Sequence, residues 1–133
     1  MRAILVRVRE MGGAAMARHI VIVEDDLTLR YAYAKLLESQ GYAVHQFGDY
    51  RGVTELFNGG TGDLLITDIV LPTGTPHGIA LAAMIQLHRP GIPVLFTTGY
   101  PDYLEHVPPG ATVLIKPVPD DVMLATVASC LKG

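Results

Sequence analysis

At 133 residues the chain is close to one ordinary domain, long enough to bury about two thirds of its unfolded surface and too short for two independent cores. Half of its residues are hydrophobic and 17% are charged, with 13 acidic against 10 basic side chains, which excludes a disordered tail and leaves no Lys and Arg cluster for nucleic acid. A single cysteine, Cys130, forbids an internal disulfide; no apolar run reaches the ~18 residues that span a bilayer, and Arg7 and Arg9 interrupt any secretory signal, so a cytoplasmic protein without membrane or nucleic-acid partners is expected.

In chain order, Ile4, Val6 and Val8 alternate with Leu5, Arg7 and Arg9 as a strand would, but MGGAAMA then breaks the pattern. Residues 1–18 therefore read as a loosely attached extension and 19–133 as the domain. From His19 onward, short β-branched runs alternate with longer segments of helical spacing. The strand candidates are HIVIV (His19 to Val23), YAVHQF (Tyr42 to Phe47), DLLIT (Asp63 to Thr67), IPVLFT (Ile92 to Thr97) and ATVLI (Ala111 to Ile115).

The first helix candidate, LTLRYAYAKLLESQG, puts Leu29, Ala32, Tyr33, Leu36 and Leu37 on one face and stops at Gly41. DYRGVTELFNGG closes with Gly59 and Gly60, HGIALAAMIQLHRPG ends at Pro90 and Gly91, and PDDVMLATVASCLKG opens near Pro119. Met84 and Met123 read as core fillers and Cys130 as an inert packed thiol. Apolar strands alternating with helices belong to a parallel sheet covered on both faces, joined by right-handed crossovers. The fold class expected is α/β, a doubly wound five-stranded parallel sheet in the flavodoxin-like order 2-1-3-4-5, with its ligand at the carboxyl ends of the strands.

Those ends carry chemistry. Strand one runs into Glu24, Asp25 and Asp26, strand three into Thr67 and Asp68, strand four into Thr97, Thr98 and Gly99, and strand five into Lys116 and Pro117. Taken singly, the acids could cap a helix, a threonine could fill a turn and Lys116 could be a solvated surface lysine. Together they place carboxylates from two strands within a few ångströms, which raises their pKa values and opposes folding unless a cation compensates. Mg²⁺ with one or two carboxylate ligands meets that need, and Lys116 supplies a second positive group. A hydroxyl donor and a carboxylate nucleophile complete a site suited to phosphoryl transfer onto Asp68.

Over about residues 19 to 132 these motifs resemble the receiver domains of two-component response regulators. VIVEDD resembles the acidic motif, LLITDIVLP the phosphoacceptor motif, PVLFTTG the hydroxyl motif and LIKPV the lysine motif. The resemblance implies that Glu24, Asp25, Asp68 and the Val70 backbone carbonyl hold Mg²⁺. It also implies that Asp68 accepts a phosphoryl group from a histidine kinase or histidine phosphotransfer protein. Thr98 and Lys116 would bind the phosphoryl oxygens, and the Lys116–Pro117 bond would be cis. Thr98 rather than Thr97 is taken as the hydroxyl, because the family places it five residues beyond the proline that opens strand four, here Pro93.

Three departures accompany the match. The glycine usually found eight residues after the acceptor falls ten after it, at Gly78, so the intervening loop is two residues longer. The position three before the lysine, usually aromatic, is Val113, leaving no ring to turn inward on activation. YPDYLEHVPPG leaves room only for a short or degenerate fourth helix between strands four and five. With FTTGY these features resemble the FATGUY class of single-domain regulators. Ending just after the last helix, the chain is expected to signal by protein contact or to act as a phosphate sink, rather than as an enzyme on an external substrate. A homodimer stays open as an assembly.

Other readings fit less well. A flavin site would need a hydroxyl- and glycine-rich phosphate loop where EDDL stands, and a haloacid-dehalogenase-like phosphatase would need an acid at Val70. No two of His19, His45, His77, His88 and His106 have helical ligand spacing, which argues against zinc. The main alternative is a receiver-like binding module that is not phosphorylated.

Overall fold

A computed structural model describes residues 17–71 and 77–132. The strand reading at the amino terminus, the extra residues of the loop after Asp68 and the final glycine lie outside the described residues. Five strands follow in order: β1 (His19–Val23), β2 (Ala43–Phe47), β3 (Leu64–Asp68), β4 (Val94–Thr98) and β5 (Thr112–Ile115). Between and after them run α1 (Leu27–Glu38), α2 (Val53–Asn58), α3 (Gly78–His88), a 3-10 helix (Pro101–His106) and α4 (Asp120–Lys132). All pairings are parallel and the sheet order is β2-β1-β3-β4-β5, as the alternation of elements predicts.

The central strands are apolar throughout because both of their faces are covered. Val21, Val23, Leu65 and Phe96 bury one face against Val53 and Phe57 of α2 and Leu81 and Ile85 of α3. Ile20, Ile22, Leu64, Ile66 and Leu95 bury the other against Tyr33, Ala34 and Leu37 of α1 and Met123 and Val127 of α4. Each such aliphatic side chain contributes about 1.5–3 kcal/mol by leaving water. The edge strands β2 and β5 are only half buried.

Asp26 caps α1, its carboxylate accepting the Leu29 N–H at 3.0 Å. Past the end of that helix Gly41 sits at φ 91°, a left-handed conformation that glycine adopts without a Cβ penalty.

Three sequence expectations need correction. Ala32 is exposed and Ala34 is buried, because the stripe of α1 is centred on Tyr33 and Leu37 and the residue next to Tyr33 on its C-terminal side turns inward with them. Met84 is 41% exposed on the outer face of α3, whereas Met123 is fully buried. β1 keeps its sequence limits, whereas the other four strands begin or end one or two residues from theirs, since flanking residues such as Tyr42 and Ile92 are apolar without belonging to a strand. The segment between β4 and β5 forms only a six-residue 3-10 helix, in keeping with its prolines. Among the described residues, no helix is long and apolar enough to cross a membrane.

Candidate functional site

Parallel strands present their carboxyl ends along one edge of the sheet, and β1, β3 and β5 deliver Glu24, Asp68 and Lys116 there. The Glu24 backbone N–H bonds the Phe47 carbonyl at 3.0 Å, and its carbonyl accepts the Arg30 Nη1 at 2.8 Å. The peptide groups on both sides of its Cα are thereby fixed, and the residue is 2% exposed. Asp26 spends its carboxylate on the helix cap, which leaves Asp25, exposed, as the second free acid of the motif.

Lys116 joins the carboxylates. Its Nζ donates to Glu24 Oε1 at 2.5 Å and to Asp68 Oδ2 at 2.7 Å. The remaining Asp68 oxygen accepts the Val70 N–H at 3.1 Å, and Glu24 Oε2 accepts the Asp26 N–H at 3.1 Å. Ligand atoms of Glu24, Asp25 and Asp68 all lie within 4.8 Å of one another, the one such group of metal-ligating side chains among the described residues. Burial pushes the Glu24 carboxyl above its usual range, an effect that the Lys116 hydrogen bond only partly offsets. Burial also opposes the charge on Lys116, but its hydrogen bonds to Asp68 and Glu24 prevail and hold it above its ordinary value.

A cavity of about 480 Å³ opens over these groups, lined by Glu24, Asp25, Asp68, Val70, Tyr100 and Lys116 among others. Three carboxylates facing an open cavity form a hard-oxygen donor set of the kind a small divalent cation takes. In the resting arrangement the Lys116 ammonium supplies positive charge between two of them.

Thr98 is placed differently from the other candidates. It is fully buried at the end of β4, and its hydroxyl is engaged with its own loop, accepting the Tyr100 N–H at 3.0 Å. Val70 stands at the cavity wall with its N–H on Asp68, and Val113, on β5 beside Phe96 of β4, packs half-buried against the core. The Lys116–Pro117 peptide is cis.

Two features go beyond the motif reading. A Cβ at Gly78 would stand 1.9 Å from the Asp68 carbonyl oxygen, so the start of α3 approaches the acceptor's backbone as only glycine allows. The conspicuous placement of Gly78 after the long loop is the sequence signal for it. Tyr33 lies buried on α1, and periodicity marks it only as a core residue.

The family model for the response regulator receiver domain matches residues 20–128. The chain belongs to the response regulator receiver family. Like other members, this receiver domain has the sheet order and acidic pocket of two-component signalling proteins. It is 34% identical over 106 residues to the response regulator receiver protein CpdR of Brucella abortus, covering 75% of this chain and 85% of that protein. It is 28% identical over 118 residues to the transcriptional regulatory protein FixJ of Bradyrhizobium diazoefficiens, where it covers 86% of this chain but spans only 57% of the relative. A response regulator receiver protein from Sinorhizobium medicae superposes with a TM-score of 0.79 at 21% identity, covering 88% of this chain and 96% of that one, which shows the shared fold.

Proposed function

We propose that residues 19–133 form a phosphorylation-dependent signalling switch whose acceptor is Asp68. The donor is a histidine kinase or a histidine phosphotransfer protein, and the output passes by contact to another protein. The observation that carries this reading is the convergence of ligand atoms of Glu24, Asp25 and Asp68 within 4.8 Å beneath an open cavity, with Lys116 bridging Glu24 and Asp68.

In this reading Glu24, Asp25, Asp68 and the Val70 carbonyl hold Mg²⁺, which offsets the charge of the phosphoryl oxygens when bound. An Asp68 carboxylate oxygen attacks phosphorus; the new P–O bond forms as the P–N bond to the donor imidazole breaks, and that imidazole leaves with the electron pair and takes up a proton. Lys116 shifts part of its hydrogen bonding from Glu24 to a phosphoryl oxygen. Thr98 turns its hydroxyl from the Tyr100 backbone toward another, which draws on the loop after β4. With Val113 in place of an aromatic ring, the response is carried by the segment from Tyr100 to Gly110, a two-state rearrangement biased by the new charge.

Incubation with acetyl phosphate and Mg²⁺ tests the proposal. The expected result is one hydroxylamine-sensitive phosphoryl group on the intact protein, abolished by Asp68→Asn. A wild-type chain that gains none under conditions where another receiver domain is modified would instead be a binding module that works unphosphorylated.

A further inference from the structure

Tyr33 is 5% exposed, and its hydroxyl is the one buried side-chain polar atom among the described residues that has no hydrogen-bond partner. Folded proteins rarely leave such a group unsatisfied, so its placement calls for an explanation. The position of Tyr33 indicates one. Leu29, one helical turn earlier on the same face, lines the site cavity, and helical side chains lean toward the N-terminus, so the ring runs up beneath the floor of the site. Tyr33 shares its core cluster with Ile22, Ile66 and Val118, each two residues from Glu24, Asp68 and Lys116 respectively. Burial pushes the phenol above its ordinary range, which keeps it neutral, and the charges of Lys116, Glu24 and Asp68 all bear on it.

Donor arithmetic connects it with Lys116. An ammonium has three N–H donors, and the resting structure uses two of them, on Glu24 and Asp68. We propose that Tyr33 is a positioning residue for Lys116: its phenolic oxygen accepts the third N–H once the ammonium moves from Glu24 to the phosphoryl group, and holds it there. The inference rests on the proposed phosphoacceptor function. Tyr33 makes no hydrogen bond to Glu24, Asp25 or Asp68. Its hydroxyl goes unpartnered in the resting form and gains a partner in the loaded one, which tilts the equilibrium toward the loaded arrangement.

The test uses beryllofluoride, a phosphoryl mimic, with saturating Mg²⁺ on the full chain, together with Mg²⁺ binding alone and the melting temperature of the free protein. Tyr33→Phe is expected to melt at the same or a higher temperature, to bind Mg²⁺ as wild type does, and to bind beryllofluoride about tenfold more weakly. Tyr33→Met, which fills similar space without a hydroxyl, should weaken beryllofluoride binding in the same way. Beryllofluoride affinities within twofold of wild type would reduce Tyr33 to a core filler and overturn the proposal. So would a loss of Mg²⁺ affinity in parallel, because the damage would then be to the whole site. Failure of the wild-type protein itself to bind beryllofluoride would overturn the phosphoacceptor reading, and this inference with it.

Discussion

Lys116 and Glu24, 92 positions apart in the chain, are joined by a 2.5 Å hydrogen bond between Nζ and Oε1. The lysine side chain is 19% exposed and the carboxylate 2%, so neither charge can fall back on full hydration if the other is removed. Lys116→Met would leave Glu24 facing Asp68 without compensation. A loss of about 3–5 kcal/mol in chemical denaturation is expected, as for other buried pairs broken from one side. Mg²⁺ should restore part of it, since a ligand at 100 times its Kd adds about 2.7 kcal/mol. A variant as stable as wild type in the absence of Mg²⁺ would contradict this account.

The close approach of α3 to β3 makes a second prediction. Gly78→Ala would place its methyl group 1.9 Å from the Asp68 carbonyl oxygen, where backbone rather than a flexible side chain must yield. The expected cost is about 3 kcal/mol of stability, together with weaker Mg²⁺ binding, because Asp68 moves with its peptide. Calorimetry and a Mg²⁺ titration of the same sample would check both effects.

Stability should also depend on pH through the opposite end of the sheet. His19 Nδ1 and His45 Nε2 lie 2.9 Å apart with their rings stacked, and burial, followed by the neighbouring imidazole, holds His45 below its ordinary value of 6.5. The unfolded chain then binds a proton at His45 before the folded chain does. This contribution to stability is complete above pH 6.5 and is lost as the pH falls below it. Denaturation midpoints measured from pH 7.5 to 5.5 should decline less in His45→Gln than in wild type; equal slopes would exclude the pair as the cause.

Val70 and Tyr100 flank the cavity over Asp68, one half-buried and the other 61% exposed. An apolar side chain and a ring at the mouth should hinder water attacking the acyl phosphate, giving slow self-dephosphorylation. Replacing either by a small polar residue is expected to speed loss of the phosphoryl group about fivefold, equivalent to ~1 kcal/mol in the barrier. Half-times followed after removal of excess acetyl phosphate would decide the matter, and unchanged decay would defeat it.

The alternation of runs such as HIVIV and LLITD with helical segments was enough to specify a parallel sheet, because strands covered on both faces must be apolar throughout, and five strands favoured the order 2-1-3-4-5 over the six-stranded alternative. The same logic put Glu24, Asp68 and Lys116 at one edge, where the structure joins them. Periodicity was less secure within helices: a choice between Ala32 and Ala34 depends on which way α1 rolls against β1 and α4, and Met84 is apolar without being inward. The histidines show the limit most plainly. His19 and His45 have no recognisable spacing, yet they meet because β1 and β2 pair in the register that sets Val21 beside His45.

By itself, then, the sequence determined the elements, their parallel sheet and the acids and lysine gathered at its edge, because these follow from local pattern and the geometry of parallel strands. Tertiary structure alone decided that Lys116 spends two donors on Glu24 and Asp68, that the Thr98 hydroxyl faces its own loop, and that the Tyr33 hydroxyl lies buried without a partner. Those facts depend on rotamers and on distances between elements far apart in the chain, which only the packed core fixes.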